Sequence, residues 1–177
     1  RSIIPIVDDT RDDAAVKAMV EEAMGALGRL DILVNNAARP GGPSPVPKLA
    51  DITYEMLSED IDTKVMGYIR CAREAAPHMR QQGWGRIINI SGMAARRASG
   101  SISSMRNVSV VALTKNLAME LGPHGINVTV VHPGVTRTER TAAVVATQAE
   151  HQGISEDEVE RRMAEQNAGG MRASRES

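Results

Sequence analysis

The chain has 177 residues, one domain's worth, with room for a single sizeable core. Hydrophobic residues make up 42% and charged residues 24%, which excludes wholesale disorder. With 21 basic against 22 acidic residues there is no chain-wide electrostatic pull toward nucleic acid or anionic lipid.

Apolar runs such as Ile32-Leu33-Val34 reach strand length only, so no membrane span is expected. The single cysteine, Cys71, excludes an internal disulfide framework and a cysteine-rich metal site, and it fits a reducing cytoplasm. Phe is absent and aromatics are 2%, so the core is expected from Ala, Val, Ile and Leu, with the ten Met filling the space. The opening residues from Arg1 read as a strand rather than a leader, as in the middle of a longer chain.

In chain order, Ile3 to Val7 is apolar and β-branched and predicts a first strand, with Pro5 a mild objection. Asp12 is placed to cap a helix whose apolar positions include Val16, Met19, Val20 and Ala23, and Gly28 closes it. Leu30 to Val34 is a second strand, ending in Asn35-Asn36-Ala37. Residues 38–50, with four prolines and Gly41-Gly42, form a loop. A long helix is predicted from about Tyr54 to Met79, with Ile61, Val65, Tyr68, Ile69 and Ala72 on its inner face.

Gly83-Trp84-Gly85 turns the chain into a third strand, Arg86 to Ile90. A small, polar loop leads to a helix from about Ile102 to Leu121, and Ile126 to Val131 is a fourth strand halted by Pro133-Gly134. A weak helix over 141–150 and a charged one opened by Ser155-Glu156-Asp157-Glu158 precede a frayed tail. Apolar strands alternating with helices predict an α/β fold with a parallel sheet of about four strands and flanking helices.

Four stretches carry a resemblance. Leu30-Asp31-Ile32-Leu33-Val34-Asn35-Asn36-Ala37, Gly85-Arg86-Ile87-Ile88-Asn89-Ile90-Ser91, Ala112 to Leu121 and Pro133-Gly134-Val135-Thr136-Arg137-Thr138 stand in order and at spacing. Together they resemble the short-chain dehydrogenases/reductases. The resemblance implies an incomplete Rossmann-like, doubly wound sheet over residues 1–138, with substrate-loop helices and tail over 139–177. It implies hydride transfer with NAD or NADP on a small-molecule carbonyl or alcohol, and a homo-oligomer formed through helices 54–79 and 102–121.

Asp9 and Thr10 match the family's adenine contact. Asn35, Asn36 and Ala37 match the turn against the cofactor ribose, and Pro133, Gly134, Val135 and Thr138 the stretch at the nicotinamide amide. All these positions end strands at carboxyl edges, where ligands of such sheets sit. The family's glycine-rich pyrophosphate turn is not among the residues, so binding of the cofactor by this chain is expected to be weak or absent. In the family's sheet order two strands separate the first two strands here, and the expectation is that Ile3–Val7 closes onto Leu30–Val34.

The family's proton donor is a Tyr with a Lys four residues later, assisted by a Ser and an Asn. Counting from Thr114-Lys115 places the Tyr and Lys positions at Ser103 and Asn107. The Ser position falls at Gly92, next to Ser91, and the Asn position at Lys64. One reading is that Lys and Asn have exchanged places: Lys64 supplies positive charge while Ser91 and Ser103 position a carbonyl or a water. The plainer reading is a surface or dimer-face Lys64 and a helix-start Ser103.

No metal is expected, since the four His lack ligand spacing. His124 and His132 read as structural, Tyr68 as packing, and Asp157 to Arg162 as a solvated face. The functions in competition are an NAD(P)-dependent oxidoreductase, a non-catalytic relative that binds a nucleotide or dimerises, and a piece of a longer chain without a function of its own.

Overall fold

The computed structural model describes residues 3–39, 46–134, 138–139 and 141–165. They fall into two compact units, one formed by Arg1–Arg39 with Pro47–His132 and the other by Pro40–Val46 with Pro133–Ser177.

In the first unit the carboxylate of Asp12 accepts the backbone N–H of Ala14 and Ala15 at 2.7 and 3.1 Å, which starts α1 (Asp13–Leu27). Gly28 ends it in the left-handed region, at φ 73°. Strand β1 is Ile32–Asn35. Helix α2 (Tyr54–Asp60) runs without a break through a π-helical segment, Ile61–Met66, into α3 (Gly67–Gln82). Strand β2 (Gly85–Ile90), helix α4 (Ser101–Leu121) and strand β3 (Ile126–Val131) complete the unit.

The three strands are all parallel, in the order β1-β2-β3. Leu33 stands opposite Ile87, and Ile87 opposite Val128, so one sheet face is a row of aliphatic side chains. Onto it α3 and α4 bring Ala72, Ala75, Ala76, Met79 and Leu121. The turn before β3 depends on Gly125, since its φ is 75° and a Cβ there would stand 2.2 Å from the carbonyl oxygen of Gly83.

Two expectations are corrected. Ile3–Val7 is not a strand and does not close onto Leu30–Val34, so the sheet of the described residues has three strands rather than about four. Ile3 is 94% exposed and Val7 fully so. Pro5 lacks the N–H that a ladder needs, and a parallel strand is stabilised only when its faces are covered. The methionines do not fill the core either: Met79 is fully buried, but Met56, Met66, Met105 and Met119 are exposed. Small residues let α3 and α4 approach the sheet closely, and Tyr68 supplies the bulk that Phe would have supplied.

In the second unit α5 (Thr141–Gln152) and α6 (Glu156–Glu165) bury Val145, Ala149 and Val159 against each other. Ser155 accepts the N–H of Glu158 at 3.3 Å, which completes one half of the capping box. Glu158 pairs with Arg161 and Arg162 at 2.7 and 2.8 Å, on the solvated face expected of this helix.

Candidate active site

The carboxyl end of β2, the first two turns of α4 and the π segment converge on one polar cluster. A π turn inserts an extra residue into a helix, a feature common at functional sites. Here it carries Lys64, which is 4% exposed. Its Nζ donates to the backbone oxygen of Ser91 at 2.9 Å and to Asn107 Oδ1 at 3.0 Å. Asn107 Nδ2 donates to the backbone oxygen of Ser103 at 2.9 Å, one turn earlier in α4. Ser91 Oγ donates to the backbone oxygen of Asn107 at 3.0 Å, and Ser103 Oγ to that of Gly100 at 3.1 Å.

The four candidate catalytic positions, Lys64, Ser91, Ser103 and Asn107, therefore lie in one network. The expectation of a surface Lys64 is overturned, because the long apolar stem reaches inward and the ammonium finds two fixed acceptors. Ser103 does sit in the first turn of α4, as a helix-start serine would. Gly92 and Asn107 fit each other: a Cβ at Gly92 would stand 3.1 Å from Asn107 Nδ2, so the amide occupies the space a side chain there would take.

Burial first, and then the nearby charge of Arg106, lower the Lys64 ammonium to about 8, with Asp60 opposing. Arg106 Nη1 donates to Asp60 Oδ1 at 2.5 Å, a mostly buried pair that bridges α4 and α2. Tyr68 donates its hydroxyl to the backbone oxygen of Ile90 at 2.9 Å, and burial raises its phenol well above the ordinary value. It packs, as expected, with Val65 and Val110. His132 Nδ1 lies 3.1 Å from the backbone oxygen of Gly92.

The Asp60–Arg106 pair and the His132 contact have no sequence signal, since each joins residues forty or more positions apart. Among the described residues no three His, Cys, Asp or Glu side chains group as metal ligands.

Asp9 is exposed and paired with Arg11 at 2.6 Å, and that hydrogen-bonded guanidinium holds its carboxyl down at about 2. Thr10 is anchored through its backbone oxygen, which accepts from Arg70 at 3.2 Å. Asn35 is buried and donates to Asn89 Oδ1 at 2.9 Å; Asn89 in turn donates to Thr114 at 2.9 Å. Asn36 is exposed and Ala37 half-buried beyond the carboxyl end of β1. Pro133, Gly134 and Thr138 belong to the second unit, where the Thr138 N–H donates to Thr141 Oγ1 at 2.8 Å, and Val135 lies outside the described residues.

The family model for short chain dehydrogenases matches residues 1–149. The chain belongs to that family. It is 37% identical over 136 residues to a 3alpha-hydroxysteroid dehydrogenase of Mediterraneibacter gnavus, covering 76% of this chain and 53% of that protein. It is 30% identical over 166 residues to the NADPH-dependent reductase BacG of Bacillus subtilis, covering 92% and 62%.

The crystal structure of YwfH, an NADPH dependent reductase involved in bacilysin biosynthesis, superposes with a TM-score of 0.83 at 27% identity, covering 98% of this chain and 66% of that one. The family places the three-stranded sheet in a Rossmann-like fold. The chain spans between half and two thirds of the length of these curated relatives.

Proposed function

We propose that the chain is the substrate-side part of an NAD(P)-linked oxidoreductase acting on a carbonyl or alcohol carbon of a small molecule. By spacing, Lys64, Ser103 and Asn107 match the positions of the family's proton-transfer residues, and Ser91 adjoins the serine position at Gly92. The observation that carries the reading is the buried Lys64–Asn107–Ser91 network, a cationic group held at the carboxyl edge of the sheet, where ligands of such folds bind. The unpartnered, buried Asp8 Oδ2 and the exposed Asn36 supply polar groups for the adenine and ribose ends, so these residues fit part of a dinucleotide. A backbone cradle for the pyrophosphate is not found among the described residues.

Asp9, Thr10, Asn36 and Ala37 would hold the nucleotide, Asn35 would orient the turn through Asn89, and the family resemblance assigns Pro133, Gly134, Val135 and Thr138 to the nicotinamide. When bound, the nicotinamide supplies or accepts the hydride. Lys64 provides positive charge beside the substrate oxygen, and Ser91 and Ser103 line its position. The lone buried thiol of Cys71 suits a cytoplasmic setting. Exposed Met56, Met66, Met105, Val108 and Met119 on the long helices support self-association through them.

A second reading, a non-catalytic nucleotide-binding or dimerising module, is favoured by one observation. The hydroxyls of Ser91, Ser103 and Tyr68 all donate to backbone carbonyls rather than outward.

The intact gene product, titrated with NADH and NADPH and then offered small ketones and aldehydes, separates the two. The expected result is turnover that falls about 10²–10⁴-fold in Lys64→Met. Binding without turnover selects the nucleotide-binding form of the second reading, and the absence of both binding and turnover overturns the oxidoreductase reading and leaves only the dimerising module. For the 177-residue chain alone, binding no tighter than millimolar is expected.

A further inference from the structure

We infer that Lys64 Nζ is itself the proton donor to the substrate oxygen, a lysine acid held in place by Asn107 and the Ser91 carbonyl; the inference rests on the oxidoreductase reading above. An ammonium has three N–H bonds. Two of them are directed at Ser91 O and Asn107 Oδ1, at 2.9 and 3.0 Å. A neutral amine still donates two, so both acceptors stay satisfied when the proton leaves. The third position is then the one that titrates, as N–H in the charged form and as a lone pair in the neutral form.

The acceptors are themselves fixed. Asn107 Nδ2 donates to Ser103 O, which turns Oδ1 toward the lysine, and Gly92 leaves room for that amide. Asn107 is thus a positioning residue.

The charged groups that act on the amine are Asp60 at the end of α2 and Arg106 on α4, while Tyr68 on α3 and His132 after β3 contact the backbone oxygens of Ile90 and Gly92, on either side of Ser91. Asp60 is the acid that could hold the ammonium charged, and it is engaged by Arg106. Burial and the Arg106 charge therefore prevail, and the amine gives up its proton at about 8, close to the range in which a general acid works at neutral pH.

In reduction, the substrate carbon takes the hydride that a reduced nicotinamide supplies, and the C=O π pair moves to oxygen. That oxygen takes the third proton of Nζ. The neutral amine recovers a proton from water. In oxidation the lone pair accepts the hydroxyl proton.

The chain labelled with ¹³C at the lysine ε-carbons, with the Lys64 signal identified by its loss in Lys64→Arg, gives a readout independent of the cofactor. The expected midpoint is about 8 rather than the ordinary 10.5. Asn107→Leu removes an acceptor of the charged form and lowers the midpoint further, while Asn107→Asp raises it. A midpoint at the ordinary value, or one indifferent to both Asn107 variants, overturns the inference.

In the intact gene product, carbonyl reduction is expected to decline above about pH 8 and to fall about 10²–10⁴-fold in Lys64→Arg, which keeps the charge but not the transferable proton. An unchanged rate and pH profile in Lys64→Arg overturns proton donation whatever the midpoint. No reduction of any carbonyl overturns the oxidoreductase reading and the donor role with it, and the ¹³C midpoint separates that failure from an amine that is simply not poised.

Discussion

The two faces of the sheet differ sharply. On one, Leu33, Ile87 and Val128 lie under α3 and α4, and Ile87 is fully buried. On the other, Ile32 and Val34 remain 54% and 53% exposed, although their neighbours along β1 are covered. Along β1 both faces are apolar, as in strands of a parallel sheet ordinarily, while Arg86, Asn127 and Thr129 stand on the open face of β2 and β3. Along β1, composition therefore does not say which face carries the stability; the helices packed against it do. The covered face is also the one that holds polar groups in place, because Asn35, Asn89 and Thr114 form a chain of hydrogen bonds from β1 through β2 to α4.

Four substitutions would break or sharpen that contrast. The largest effect is expected from Ile87→Ala on the covered face, a loss of about 2–5 kcal/mol seen as a lower denaturant midpoint with the slope retained. Asn89→Ala would strand the buried amide of Asn35 and cost about 1–3 kcal/mol by the same measurement.

Lys64 adds a pH dependence. Its folded-state value, about 8, lies below the 10.5 expected unfolded, so the unfolded chain binds more protons between those values. Stability should then rise with pH across that window by about 1–2 kcal/mol, allowing for partial solvent access, and Lys64→Met should flatten the rise. The smallest effect is expected on the open face. Val34→Thr should change stability by no more than about 0.5 kcal/mol while reducing binding of a hydrophobic dye, and a loss of several times that would mean the open face is covered in solution.

Much of this is legible in the sequence. Asp12 and Gly28 marked both ends of α1, β3 matches its expected bounds, and counting from Thr114-Lys115 brought Ser103 and Asn107 to the cluster that Lys64 joins. These are local signals: a cap, a period, a spacing along one helix.

Other features depended on what lies across the fold. Ile3–Val7 has the composition of a strand but finds no ladder partner. The π segment interrupts a helix whose apolar period runs on through it. Lys64 could have carried its charge outward on the same four-carbon stem, and only the acceptors contributed by β2 and α4 draw it inward.

The sequence by itself determined the two ends of α1, the bounds of β3 and which family the chain resembles, because backbone preference and side-chain period act over a few residues. Tertiary structure alone decided which face of β1 is covered and which way Lys64 points, because burial and ion solvation are set by neighbours that the chain brings together from a distance.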